Sequence, residues 1–226
     1  MQIICRTPFP MDTSPANPDR AWSWPCFLRN AAVLVGVVAL GLLAWIHVLA
    51  PNLSPKNFGV VREGQLYRAG ELTPRAFQKL VQDHGVRTVV DLGAHHPGSP
   101  GETREQRTLD ALGVERVSLR LFGDAQGDPN EYVHALRVMT DPARAPVLVH
   151  CAAGAQRTGA AVAFYRMIVE GASLDDAMRE AQRYRHDPED NPHLREMLVT
   201  WTEPIRESLR TGRAIPYDGA SPPSAP

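Results

Sequence analysis

A short apolar run, Pro146-Val147-Leu148-Val149-His150, leads straight into Cys151-Ala152-Ala153-Gly154-Ala155-Gln156-Arg157-Thr158-Gly159, and a helical pattern follows to Glu170. A strand, a glycine-bearing loop and a helix in that order leave few folds open. An apolar, β-branched run without polar alternation is a strand covered on both faces, as in parallel sheets. The join between such a strand and the next helix is an anion site, because backbone N–H groups and the helix dipole converge there. The amides from Ala152 to Arg157 can wrap three phosphate oxygens, and Gly154 permits a turn that a side chain would block.

The side chains fit the same purpose. The positive field lowers the Cys151 pKa and makes the thiolate, a good nucleophile. Arg157 offers a planar fork that matches two phosphoryl oxygens and grips them harder in the transition state. Thr158 can donate its hydroxyl to the sulfur, and His150 orients the loop by hydrogen bonding rather than acting as a base. The expectation is a phosphate ester cleaved through a covalent cysteine intermediate. Cys151, Arg157 and the substrate-binding stretch Ala152, Ala153, Gly154, Ala155 and Gln156 are its centre.

The rest of the chain supports an α/β domain over residues 57–210. Val60 to Arg68 reads as a hairpin turning at Glu63-Gly64, and Thr73-Pro74 opens a helix that Gly85 ends. A strand is predicted over Val86–Leu92, a helix over Glu102–Leu112 and a strand over Val114–Leu119. Asp128-Pro129-Asn130-Glu131 combines a cap with capping-box chemistry and starts a helix to about Met139. After the loop helix, Ser173 caps a helix to about Tyr184, and a last helix covers Pro192–Leu209. Alternating strands and helices imply three layers around a central, mostly parallel sheet flanked by helices. Residues 211–226, rich in Pro, Ser and Ala toward the end, read as a disordered tail.

Residues 1–30 read as a disordered leader, and Ala31–Ala50 differs sharply from it. The run holds no formal charge and, as a helix, spans roughly 30 Å, the thickness of a bilayer core. Trp22, Trp24 and Trp45 lie near its ends, where indoles prefer the interface. A cleavable signal peptide is the rival reading, but Pro51 would hinder cleavage after Ala50, and the run exceeds a usual signal core. The expectation is one uncleaved transmembrane helix, 31–50. Arg29 just before it favours a catalytic domain on the extracytoplasmic side.

The formal net charge of −1 gives no electrostatic case for nucleic acid as a partner. Cys5, Cys26 and Cys151 are odd in number and widely spaced, which excludes a disulfide framework. His95-His96 has no cysteine or carboxylate at ligand spacing, so a solvated loop is expected there, with no metal and no cofactor. Arg104 and Arg107 read as the wet face of a helix, with substrate contact as the alternative.

The segment His150–Gly159 resembles the active-site motif of the cysteine-dependent protein tyrosine and dual-specificity phosphatases, H-C-x-x-G-x-x-R-[ST]-G, at all its fixed positions. Asn57-Phe58-Gly59 with Leu66-Tyr67-Arg68-Ala69-Gly70 looks like the opening of the small atypical members found in bacteria, fungi and plants. The resemblance implies a phosphatase fold over roughly residues 57–205. It also implies a general-acid aspartate on a loop about thirty residues before the cysteine, to protonate the leaving oxygen. Asp124 and Asp128 both stand there. Asp128 is already explained as a helix cap, so Asp124 is preferred. The acid-loop tryptophan of the larger tyrosine phosphatases is missing, which fits the small group.

Members of that family acting on inositol lipids or polyphosphates tend to carry lysine or histidine among the variable loop positions. Ala152, Ala153, Ala155 and Gln156 supply no such cation. The implied substrate is singly phosphorylated: a phosphotyrosine or phosphoserine/threonine side chain of a protein, with a small phosphomonoester or an inositol phosphate as the alternative. Sulfur transfer of the rhodanese type would usually place an arginine beside the cysteine, where Ala152 stands. An anchored phosphate-binding pseudophosphatase would have lost Cys151 or Arg157, and both are present.

Overall fold

The computed structural model describes residues 24–49 and 55–219, so residues 1–23, most of the predicted leader, and the last residues of the predicted tail lie outside it. Helix α1 covers Trp24–Ala44 and is followed by a π-helical turn at Trp45–Leu49. It starts inside the stretch read as leader. Its window Leu28–His47 has a mean hydropathy of 2.0 and none of it is buried, so this helix is long and apolar enough to cross a membrane. A signal sequence near the N-terminus has the same composition and length.

Trp45 onward forms a second compact unit, built on five strands: β1 (Gly59–Arg62), β2 (Leu66–Ala69), β3 (Thr88–Asp91), β4 (Glu115–Ser118) and β5 (Val147–His150). Their order is β1-β2-β5-β3-β4; only the β1–β2 pair is antiparallel. The expected mostly parallel sheet is present, and the hairpin turns at Glu63-Gly64. Strands β3 and β4 are shorter than the expected Val86–Leu92 and Val114–Leu119, although single backbone bonds such as Leu92 N–H to His150 O and Leu119 N–H to Asp91 O continue beyond them.

Period-two alternation divides the sheet between two cores. Leu66, Val90, Leu92, Val147 and Val149 pack with α4 (Pro129–Thr140), α5 (Gln156–Ile168), α6 (Leu174–Arg183) and α7 (His193–Thr211). Tyr67, Ala69, Val89 and Leu148 face α2 (Pro74–His84) and α3 (Pro100–Leu112). Three layers result. In α5 every residue from Thr158 to Tyr165 is buried, as for a helix surrounded by other elements rather than lying on the surface.

Local signals set the helix starts. Thr73 accepts from the Ala76 N–H at 3.2 Å, and Asp128 from the Asn130 N–H at 2.9 Å, each just before a proline. The expected capping box at Asp128 takes another form, since the Glu131 carboxylate accepts from the Arg120 N–H. Helix α5 begins two residues before the predicted start, which puts Arg157 in its first turn. The segment after α7, read as tail, is tied down as far as Tyr217. Asn130 both accepts from the Ile215 N–H (2.8 Å) and donates to its carbonyl (2.9 Å), and Tyr217 meets Trp201 edge to face.

Register positions the site. Ala69 and Asp91 both pair with His150, so β2, β5 and β3 end abreast. Gly70, Cys151 and Leu92 therefore emerge side by side at the carboxyl edge of the sheet, where open α/β folds bind ligands.

Candidate active site

Cys151 is 1% exposed, and its Sγ accepts from the Gly154 N–H at 3.2 Å. Burial by itself pushes this thiol up. The Thr158 hydroxyl and N–H, the Arg157 charge and the Gly154 N–H outweigh burial, and the pKa lies below the ordinary cysteine value. Gly154 has φ +70°, and a Cβ there would lie 2.5 Å from Gly70 N and 2.7 Å from the Ala69 carbonyl oxygen. The loop turns against the end of β2 at a spacing only glycine allows.

Three successive loop carbonyls are bonded outward. Ala152 O accepts from the Glu71 N–H (3.0 Å), Ala153 O from Asn57 Nδ2 (2.9 Å) and Gly154 O from Arg68 Nη2 (2.8 Å). A planar trans peptide points its N–H opposite its carbonyl. Fixing those oxygens outward therefore turns the N–H groups of Ala153, Gly154 and Ala155 toward the inside of the loop.

Arg157 is steered from the neighbouring strand end. Its Nη1 donates to the carbonyls of Leu92, at 3.2 Å, and Gly93. Its Nε is buried without a hydrogen-bond partner. A buried, unsatisfied guanidinium N–H is costly and marks a place where an anion would be stabilised.

The two acid candidates differ in employment. Asp128 Oδ1 accepts from both the backbone and the side-chain nitrogen of Asn130, at 2.9 and 2.7 Å, and is committed to capping α4. Asp124 is half-buried and accepts only from the Gln126 N–H, at 3.0 Å, among the bonds of this loop. Tyr132 joins the two halves of the site. Burial first, then the charges of Cys151 and Asp124, raise its pKa well above the ordinary tyrosine value. Its hydroxyl donates to Ala125 O at 2.5 Å and holds the acid-bearing turn, where Ala125 itself has φ +75°.

His150 lies under the loop, fully buried, 3.2 Å from Glu105 Oε1 and edge-on to Phe77. Burial opposes its protonation, but the Glu105 bond and the charges of Glu105, Asp91 and Cys151 prevail and raise its pKa. Asp91, Glu105 and His150 converge closely enough to hold a metal ion. Arg116 already fills the cation's role there, with Nη2 2.5 Å from Asp91 Oδ2 and Nε 3.2 Å from Glu105 Oε1. His95 departs from the solvated loop expected of it: its Nε2 lies 3.4 Å from Glu105 Oε2, whereas His96 is exposed. Arg104 and Arg107 are exposed.

Among the residues to which sequence reasoning assigned no role, Arg68, Glu105 and Tyr132 bear on the site. Only Arg68 carried a signal, a lone arginine inside an otherwise apolar strand, Leu66-Tyr67-Arg68-Ala69. Glu105 and Tyr132 sit on ordinary amphipathic helices.

Known proteins are similar to this chain. Residues 45–196 match the model of a family described as DSP-PTPase phosphatase fused to NAD+ kinase. Inositol diphosphatase DSP3 of Arabidopsis thaliana is 30% identical over 143 residues, which span 60% of this chain and 64% of the relative. The chain thus covers less than two thirds of that relative's length. Among solved structures, TpbA of P. aeruginosa superposes with a TM-score of 0.56 at 25% identity, covering 69% of this chain and 92% of TpbA. The Siw14 catalytic core has a TM-score of 0.57 at 19% identity, covering 70% and 93%, and shows the same fold.

Proposed function

We propose that this chain, which belongs to the DSP-PTPase phosphatase family, hydrolyses singly phosphorylated substrates, a phosphotyrosine or phosphoserine/threonine side chain foremost, through Cys151, Arg157 and Asp124. The Cys151 thiolate attacks phosphorus, an S–P bond forms, and the ester P–O bond breaks with Asp124 protonating the leaving oxygen. Water then attacks phosphorus as Asp124 takes its proton, the S–P bond breaks and the thiolate returns. Arg157 and the inward N–H groups of Ala153, Gly154 and Ala155 hold the equatorial oxygens throughout. Ala152 and Gln156 complete the loop's wall, and His150 and Thr158 support the sulfur.

The observation that carries this reading is the pairing of a buried sulfur, acidified by its loop, with an unpartnered buried Arg157 Nε beside it. Cys151→Ser decides the mechanism. With p-nitrophenyl phosphate the variant falls to background turnover while still binding inorganic phosphate; turnover equal to the wild type overturns it.

A second reading, inositol diphosphates as substrate, draws on the 30% identity to the Arabidopsis inositol diphosphatase. The uncharged variable positions of the loop favour the first. A panel of phosphopeptides, phosphoinositides and inositol diphosphates separates them, and clear preference for a multiply phosphorylated inositol sinks the first. The window Leu28–His47 supports a single-pass anchor, with Arg29 directing the catalytic domain to the extracytoplasmic face. A reporter fused after residue 226 reads the side.

A further inference from the structure

Arg68 is the largest fully buried side chain in the described residues, and it sits in the middle of β2, two residues before the chain passes the phosphate loop. A buried guanidinium normally comes with a carboxylate. Arg68 forms no ion pair among the described residues. Its Nη2 donates to Gly154 O at 2.8 Å, while Nε and Nη1 are buried without partners. The flat of the guanidinium lies 3.8 Å from the centre of the Tyr184 ring, a cation–π contact that leaves its positive charge uncancelled. Tyr184 gets there because Gly59 has no side chain; a Cβ at Gly59 would fall 2.1 Å from the Tyr184 hydroxyl.

Burial, aided by the Arg166 charge, lowers the Arg68 pKa to about 10, against the opposing charges of Tyr184, Glu180 and Cys151, so the group stays protonated at neutral pH. The charge is thus permanent, desolvated and directly behind a loop whose occupant is an anion.

We propose that Arg68 is a positioning residue of the phosphatase reaction, fixing the Gly154 carbonyl so that the Ala155 N–H faces the phosphoryl group and placing a permanent positive charge behind the loop that carries Cys151. The inference rests on the phosphatase reading above. Peptide planarity gives the mechanism: with Gly154 O held toward Arg68, the Ala155 N–H points the other way, into the loop. A leucine or methionine would fill the same space and keep the strand, but it would free that peptide to rotate. Glu180, whose charge also acts on Arg68, is ion-paired with Arg166 at 2.7 Å, so the charge left to balance Arg68 is the thiolate or the bound phosphoryl group, which makes anion binding more favourable in a low-dielectric interior.

The test uses the full chain carrying R68M or R68K, with two readouts besides turnover. One is the pH dependence of iodoacetamide alkylation, followed at the Cys151 peptide; the other is inhibition by tungstate, an oxyanion that occupies the phosphate loop. R68M moves the alkylation midpoint up and weakens tungstate inhibition about tenfold or more. R68K keeps the charge but not the fork, so it restores the midpoint while tungstate inhibition stays weakened. A cooperatively melting R68M with both values unchanged overturns the proposal. If R68M fails to fold, R68K decides: wild-type tungstate affinity in R68K overturns the clamp. A wild-type chain that neither hydrolyses p-nitrophenyl phosphate nor binds tungstate sinks the phosphatase reading instead.

Discussion

Replacing Gly154 by alanine tests how tightly the anion cradle is built against the sheet. The position has φ +70°, where an L-residue pays roughly 1–2 kcal/mol relative to glycine. The added Cβ also meets backbone, not a movable side chain: Gly70 N at 2.5 Å, Ala69 C at 2.6 Å and Ala69 O at 2.7 Å. Restoring ordinary contact means parting the loop from β2 by about 0.9 Å, in an interior packed too densely to absorb it. Strain of about 2 kcal/mol lowers Tm by about 4–8 °C in a chain this size, which most such folds survive. Function suffers more. The displaced segment carries the N–H that touches Cys151 Sγ and the carbonyl that Arg68 holds, and a misplacement near 1 Å at a reacting centre costs about a hundredfold. We expect kcat/KM on p-nitrophenyl phosphate to fall about a hundredfold, near 2.7 kcal/mol of transition-state stabilisation, together with tungstate affinity. Steady-state kinetics with a circular-dichroism melt reads both quantities. A G154A chain with kcat/KM within threefold of the wild type and unchanged tungstate affinity refutes the cradle as described.

Two further variants address the acid and the buried charges. Asp124→Asn lowers kcat about a hundredfold or more on phenyl phosphate and much less on an ester with an acidic leaving group, whereas Asp128→Asn, which keeps an equally good N-cap, stays near wild type on both; the reverse pattern transfers the acid role to Asp128. Burial raises the Asp91 carboxyl, but His150, the Ala94 N–H and Arg116 lower it more, so its folded pKa lies below the unfolded one. The stability it contributes is complete above the ordinary carboxylate pKa, about 4, and is lost as pH falls through the depressed value. The Tm gap between wild type and Asp91→Asn therefore narrows from pH 6 toward pH 3, as read by thermal melts across that range; a gap constant over it contradicts the ion network.

Most of the scaffold was legible because its signals are local. Thr73-Pro74, Asp128-Pro129 and Ser173 carry their own caps, and the apolar run at Val147–Val149 announces a strand buried on both faces. Helix α5 carries no such signal. Ala155 precedes it without a side-chain cap, so the two residues gained at its start, Gln156 and Arg157, were invisible to capping rules. Long-range partners were hidden for a different reason. Nothing near Asn130 says that Ile215 will bond to it across 85 positions, and nothing near His95 says that Glu105 lies 3.4 Å away. The loop motif names the groups that face a ligand. Those that brace the site from behind, Arg68 at the Gly154 carbonyl, Glu105 at His150 and Tyr132 at the acid-bearing turn, are placed by sheet register and helix packing.

That division assigns the two arginines of the site opposite duties. Arg157 is fastened at Nη1 just past the end of β3 and keeps Nε buried and unpartnered, a capacity that an arriving anion would use. Arg68 commits Nη2 to the Gly154 carbonyl and its flat face to Tyr184; its Nε and Nη1 are buried without partners behind the loop, so what it offers an anion in front of the loop is charge. A loop with four uncharged variable positions would be a poor dianion site if its side chains were its only cations. Backed by a desolvated guanidinium, it can bind a single phosphoryl group firmly without offering a second phosphate anything to hold. The proposed preference for substrates whose only concentrated charge is the group being removed draws on the neutral loop, and the buried arginine is compatible with it.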